Sequence, residues 1–151
     1  MKTVKMIAFT FLALYVLSGE PFSSICRGAG TDDIFILRST TKTPDAVVDA
    51  VKKYSEQQKW QYLGANKVKQ GQVTLVKVCI PEVGRQIWPV GLKLSAMLPC
   101  GNLGVYQNDG TTEISLLHPR YMQVLYPHPA VEKAAAIAER LLAEMLDTVA
   151  K

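Results

Sequence analysis

The sequence predicts a single α+β domain built as two layers, a largely antiparallel sheet of about five strands with helices covering one face. Three observations lead to this prediction. Short apolar runs bounded by turn-forming residues recur along the chain, and two other segments carry apolar residues at helical spacing. Removing an N-terminal leader leaves roughly 120 residues, which suits one ordinary domain.

The N-terminus has the three successive regions of an export signal. Lys2 and Lys5 give a positive start, residues 6–17 are apolar except for one threonine, and small or polar residues follow from Ser18. At about 1.5 Å per residue the apolar run spans roughly 18 Å, which is short against a hydrocarbon core of about 30 Å. We therefore predict an exported protein, either periplasmic or secreted.

The cleavage site has three alternatives, because small residues in suitable positions allow processing after Ser18, Cys26 or Gly30. The predicted organisation is a signal peptide over 1–30 and one mature domain over 31–151, with no stable membrane span after processing. The alternative is an uncleaved signal that anchors the protein in the membrane.

The charge of the mature chain argues against nucleic-acid binding. The full chain carries a net charge of +4, which falls to +2 when cleavage after Ser18 removes Lys2 and Lys5. So small an excess would neutralise few phosphates. We predict a partner that is a small ligand or a protein, and no nucleic acid.

A short strand and a helix open the mature domain. Residues 34–38 form an apolar run, and Thr43 then offers an N-cap followed by Pro44, whose missing N–H costs nothing at the first helical position. Val47 and Val51 begin an apolar stripe at helical spacing. This helix is expected to bury one face and to show its lysines to water.

Two longer strands follow the first helix. Residues 60–69 and 72–80 are β-rich runs joined at Gln70-Gly71, where glycine supplies the positive φ of a tight hairpin. Both faces of the second run are mostly apolar. That pattern is typical of a strand in the centre of a sheet.

A second strand pair comes after a segment rich in proline and glycine. A short helix is expected over residues 84–88, ended by Pro89 and Gly91. Two strands then centre on Leu103 with Val105 and on Ile114 with Leu116, and Asn108-Asp109-Gly110 lies between them as a strong turn signal.

The longest helix is predicted at the C-terminus. Residues 119–125 allow one or two helical turns, residues 126–129 form a rigid break, and Pro129 opens a helix that runs to about Val149. Its apolar residues form one continuous stripe. It is expected to lie across the sheet as its main cover.

The order of these elements and several short motifs together resemble a known family. The motifs are Val78-Cys79-Ile80-Pro81, Met97-Leu98-Pro99-Cys100, Val105-Tyr106, Asn108-Asp109-Gly110 and Ile114-Ser115. They are similar to those of the bacterial domain of unknown function 302 family, over roughly residues 34–122. Ile80 stands where members commonly carry a polar residue. The resemblance implies a fold and no particular reaction.

The resemblance draws attention to Cys79 and Cys100. Outside the cytoplasm such a pair could close a disulfide, and a loop of this size would stabilise the fold by roughly 3 kcal/mol. The alternatives are buried inert thiols, or functional thiols whose pKa is lowered by Lys77 on the same strand face. Cys26 is expected to leave with the signal or to remain an odd free thiol.

No cofactor, metal or catalytic group is predicted. His118 and His128 are the only histidines and, with the two cysteines, the candidate ligands of a metal site. Their spacing matches no compact zinc pattern, so we expect them to be loop residues that cap turns. There is no C-x-x-C and no C-x-x-C-H motif, which disfavours thiol exchange enzymes and covalent haem.

The segment between the two cysteines is the predicted binding site. Lys77, Trp88, Met97 and Tyr106 would line an apolar pocket beside the cysteine loops, although the same residue types also serve as core packing. The favoured function is a non-enzymatic exported module that binds a small ligand or a partner protein. The alternatives are a thiol-dependent enzyme or sulfur carrier using Cys79 or Cys100, and a structural homodimer.

Overall fold

The computed structural model describes residues 34–98 and 102–151. These residues form five strands and four α-helices, with a 3₁₀ helix over Leu92–Met97 before the fourth strand. In chain order the elements are β1 Phe35–Thr40, α1 Pro44–Gln57, β2 Gln61–Val68, β3 Val73–Cys79, α2 Pro81–Ile87, β4 Leu103–Asn108, β5 Thr111–Leu117, α3 Tyr121–Leu125 and α4 Pro129–Ala150. The predicted signal peptide lies outside the described residues.

The five strands form one antiparallel sheet in the order β1-β5-β4-β3-β2. The predicted α+β class is confirmed. β3 lies between β4 and β2, so it is an interior strand, while β4 is the middle strand of the five. β1 and β2 are the two edges.

Local sequence accounts for the start of the first helix and for one turn. The Thr43 hydroxyl accepts a hydrogen bond from the Ala46 backbone N–H at 3.3 Å, and Pro44 takes the first position of α1, as predicted. Asp109 and Gly110 both have positive φ, which is the geometry of the tight turn expected between β4 and β5.

The connection between β2 and β3 differs from a two-residue hairpin. Lys69–Gly71 forms a short 3₁₀ turn in which both Lys69 and Gln70 have positive φ. The glycine signal located the turn correctly. It did not fix the turn's length, because the backbone of two non-glycine residues also enters the left-handed region.

The core lies between one face of the sheet and the helices. The buried residues of β3, β4 and β5 point toward the apolar stripes of α1, α2 and α4, and the interior is continuous across all of them. Fully buried members include Val47, Val51, Val76, Val78, Ile87, Leu103, Ile114, Leu142 and Met145. α4 packs against β1, α1 and α2, whereas α1 lies over β2, β3 and β4, so the two helices share the cover that was predicted mainly for α4.

Polar contacts attach the edge strand β1 to α4. Arg38 donates from Nε to the Asp147 carboxylate at 2.6 Å and from a terminal nitrogen to the Leu37 carbonyl at 2.8 Å. The second bond satisfies an acceptor on the edge of the strand. Satisfying that acceptor makes this edge a poorer template for an added strand.

Candidate functional site

The face of the sheet opposite the helices carries exposed apolar side chains. Phe35, Leu37, Leu75 and Leu117 alternate with more buried residues of their strands, and each keeps between 37% and 42% of its surface exposed. We call this side of the sheet the open face. Its outward residues on β1, β5, β4 and β3 include Phe35, Leu37, Leu117, Ser115, Glu113, Gly104, Tyr106, Val73, Leu75, Lys77 and Cys79.

At Gly104, the open face has no projecting side chain. Gly104 on β4 lies opposite Ser115 on one side and Leu75 on the other. A Cβ atom on Gly104 would lie 2.8 Å from the Ser115 hydroxyl oxygen, so a larger residue there would displace that hydroxyl. The open face therefore has a shallow trough at Gly104, bordered by Leu75 on β3, Ser115 on β5 and the Tyr106 ring on β4 itself.

One end of the trough carries a fixed negative charge. Glu113 lies opposite Tyr106, and the Asn108 amide donates to its carboxylate at 2.7 Å. Hydrogen bonds from Asn108 and Tyr106 hold the pKa of Glu113 below its usual value. Burial, and then the Glu113 carboxylate, raise the pKa of Tyr106, so that phenol stays protonated. Lys77 supplies a positive charge toward the opposite end of the face.

Cys79 ends β3 on the open face, across from Gln61 of β2. It is a half-buried free thiol, and burial raises its pKa. A raised thiol pKa leaves less thiolate at neutral pH, which disfavours a nucleophile. The predicted disulfide remains a prediction, because Cys100 lies outside the described residues.

The four predicted pocket residues are divided between the open face and the region that follows α2. Lys77 and Tyr106 both lie on the open face, but Tyr106 is opposite Val73, four residues from Lys77, and four residues of strand span about 13 Å. Trp88 packs its indole against Gly84 of α2 and is 40% exposed, and Met97 packs against the core from the 3₁₀ helix.

Two clefts, each of about 330 Å³, are open to solvent, and a histidine lines each of them. One lies along β1, where His118 borders the strand. The other lies at the start of α4, between Gln123 and Glu132 beside His128. Neither cleft is lined by Cys79 or by the four predicted pocket residues.

Both histidines have local partners. His118 is largely buried, accepts a hydrogen bond at Nδ1 from the Arg120 backbone N–H, and places Nε2 3.6 Å from the Glu139 carboxylate. His128 is the N-cap of α4, because its Nδ1 accepts from the Ala130 N–H at 3.1 Å. Within 34–98 and 102–151, no three His, Cys, Asp or Glu side chains are grouped so that they could hold a metal ion.

The alternating apolar residues of β3 do not reveal the open face. They indicate two apolar sides, which is also the pattern of a central strand covered on both faces. The signal that could have found the surface is Phe35 and Leu37 on β1, whose alternation marks the outer side of an edge strand.

In the part of the chain that the structure describes, no helix has the length and apolar character needed for a bilayer crossing.

Comparison with known proteins identifies the family. Residues 36–149 match the model of the domain of unknown function DUF302. A crystal structure of an uncharacterized conserved DUF302 protein from Bacillus stearothermophilus is similar, with a TM-score of 0.69 and 22% sequence identity over 78% of this chain and 98% of that one. No match was found among the curated proteins compared. Because the family model covers most of the sequence and agrees with the motifs and the fold, the chain belongs to the DUF302 family.

Proposed function

We propose that this DUF302 protein is an exported, non-enzymatic binding module, and that its open face binds the apolar surface of another protein chain. One observation carries the proposal. Phe35, Leu37 and Leu117 are neighbours on β1 and β5, and they stay more than a third exposed on the side of the sheet away from the helices. Leu75 is similarly exposed on the same face, across Gly104 and Ser115. Exposed apolar surface of this kind is typical of protein interaction sites.

The low centre of the open face supports a protein partner rather than a small ligand. The trough above Gly104 is shallow, and the two described clefts are open to solvent, so a small molecule would remain largely in water. A protein surface can cover the whole face at once. Leu37 and Leu75 would then pack against it, while the charges of Lys77 and Glu113 lie toward the rim.

The thiol-dependent enzyme is the weaker alternative. It needs a thiolate at neutral pH, whereas burial raises the pKa of Cys79. Export rests on the predicted signal peptide, which lies outside the described residues. Export and binding are therefore independent parts of the proposal, and an intact mass of the protein recovered from the cell envelope tests the first.

Site-specific crosslinking in living cells tests the second part. A benzophenone amino acid replaces Leu75 in the full chain, and the cells are irradiated after export. We expect a protein adduct, because the probe would lie inside the contact. The mass of the adduct, read by mass spectrometry, distinguishes a second copy of this chain from a different protein.

The matched control places the same probe at Lys133, an exposed residue of α4 on the helical side. It is expected to give little or no adduct. If the Leu75 probe forms no protein adduct, or if both positions label the same proteins equally, the open face is not a binding surface and the proposal is overturned.

A further inference from the structure

Gly104 lies on β4, the middle strand of the sheet, and it is the second residue of that strand. Its row on the open face carries a large apolar side chain on each side. Leu75 flanks it directly on the β3 side, and Ser115 followed by Leu37 flanks it on the other. This row crosses four strands from one apolar side chain to another through a low centre.

The two charges lie diagonally across that centre. Glu113 is on the strand next to β4, opposite a residue two positions from Gly104 toward the β4–β5 turn. Lys77 is on the strand on the other side, two positions from Leu75 in the opposite direction. With about 4.8 Å between strands and about 6.7 Å for two residues, each charge lies roughly 8 Å from Gly104 on opposite sides.

We infer that the open face is the interface of a homodimer, in which a second copy packs face to face about a two-fold axis. The axis lies in the plane of the face, passes through Gly104 and is perpendicular to the line from Lys77 to Glu113. This operation exchanges the two ends of that line. Each Lys77 then faces Glu113 of the partner subunit, and the contact is self-complementary, as a two-fold interface requires.

The apolar residues agree with this arrangement. In this arrangement Leu75 of one copy lies beside Tyr106 of the partner subunit, and Leu37 lies beside Leu117 of the partner subunit. Five strands of six to eight residues give a face of roughly 24 Å by 20 Å, or about 1,000 Å² buried over both copies. That area meets the lower bound of about 1,000 Å² for a biological interface, so we expect a reversible dimer.

This inference rests on the proposed function, because it names the partner of the same surface.

The homodimer is tested by exchanging the charges at Lys77 and Glu113 and measuring dimerisation by sedimentation over a range of protein concentrations. The full chain is recovered after export as wild type, Lys77→Glu, Glu113→Lys and the double variant. Each single variant faces like charges at both symmetry-related contacts, so we expect its dimer dissociation constant to rise roughly tenfold or more.

The double variant restores opposite charges at both contacts, and its dissociation constant should return to within about threefold of the wild type. The control is Lys133→Glu, which makes the same change in net charge as Lys77→Glu but on the exposed side of α4, and it should leave dimerisation unchanged. Circular dichroism confirms that all variants are folded.

A wild type that stays monomeric overturns the homodimer, as does a double variant no better than the singles or a dimer indifferent to all the charge changes. For a monomeric protein, the Leu75 crosslinking experiment shows whether the proposed function fails together with the homodimer. A monomer whose Leu75 probe crosslinks to a different, identified protein keeps the binding module and removes only the homodimer. A monomer whose Leu75 probe forms no adduct removes both.

Discussion

The Cys79 thiol shows how one residue's surroundings decide between two chemistries. The sequence placed it two residues from Lys77, a neighbour that would lower its pKa if the ammonium dominated. In the structure burial raises the pKa instead. The folded protein therefore holds the thiol proton more tightly than the unfolded chain does, and the free energy of unfolding falls as the pH rises past the thiol pKa of the unfolded chain.

We predict that Cys79 is a slow nucleophile at neutral pH. In a Cys100→Ser variant, which prevents a disulfide between these two cysteines, iodoacetamide should modify Cys79 with a midpoint pH higher in the native protein than in urea. Mass spectrometry of the Cys79 peptide gives the rate at each pH. A native midpoint below the unfolded one would show a stabilised thiolate and would favour the thiol-dependent enzyme over the non-enzymatic binding module.

Some residues could be assigned from sequence because their structure depends on close neighbours. Thr43 caps α1 through a hydrogen bond three residues away, and Asp109-Gly110 forms a turn within its own hairpin. Leu75 could not be assigned in this way. An apolar residue on the second side of a strand has the same sequence pattern whether a helix covers it or not, so only the structure shows its exposure.

The short helix α2 is shaped by a close contact with the residue after it. A Cβ atom on Gly84 would lie 2.7 Å from Nε1 of Trp88. The glycine thus leaves room for the Nε1 corner of the indole ring beside the helix, while Val83 and Ile87 are buried in the core. The sequence predicted a helix here from its flanking prolines, but not this contact, because helical spacing does not reveal which side chain folds back on the backbone.

We predict that the effect of Gly84→Ala on the free energy of unfolding changes sign depending on whether residue 88 is tryptophan or alanine. Alanine in a helix interior is normally more favourable than glycine by about 1 kcal/mol. In the wild type the new methyl group displaces the indole, so we expect a net loss of about 1 kcal/mol in the free energy of unfolding. In a Trp88→Ala background the same substitution should instead gain about 1 kcal/mol. Urea unfolding of the four proteins measures both steps, and equal effects in the two backgrounds would contradict the contact.

In the whole molecule, one face of the sheet is buried under the helices and the other, the open face, is exposed to solvent. Leu103 and Leu75 sit on adjacent strands but face opposite ways: Leu103 is fully buried under the helices, and Leu75 is 37% exposed on the open face. The two-layer class was predictable because the apolar stripes of α1 and α4 must be buried against something. In our proposal a second molecule covers the other side of the sheet, and the sequence of one chain does not describe such a contact.

The two leucines give a matched test of this asymmetry. At protein concentrations low enough for a monomer, Leu103→Ala should lower the free energy of unfolding by about 2–5 kcal/mol, since it leaves a cavity in a closed core. Leu75→Ala should cost less than about 1 kcal/mol, because its side chain already contacts water.

At high protein concentration the cost of Leu75→Ala should grow. Only the folded state dimerises, so dimerisation adds stability to the wild type that this variant loses. Urea midpoints at two concentrations measure all of these values. A Leu75→Ala cost that is large in the monomer would show that the open face is already packed within a single chain, and a cost that does not change with concentration would separate that face from dimerisation.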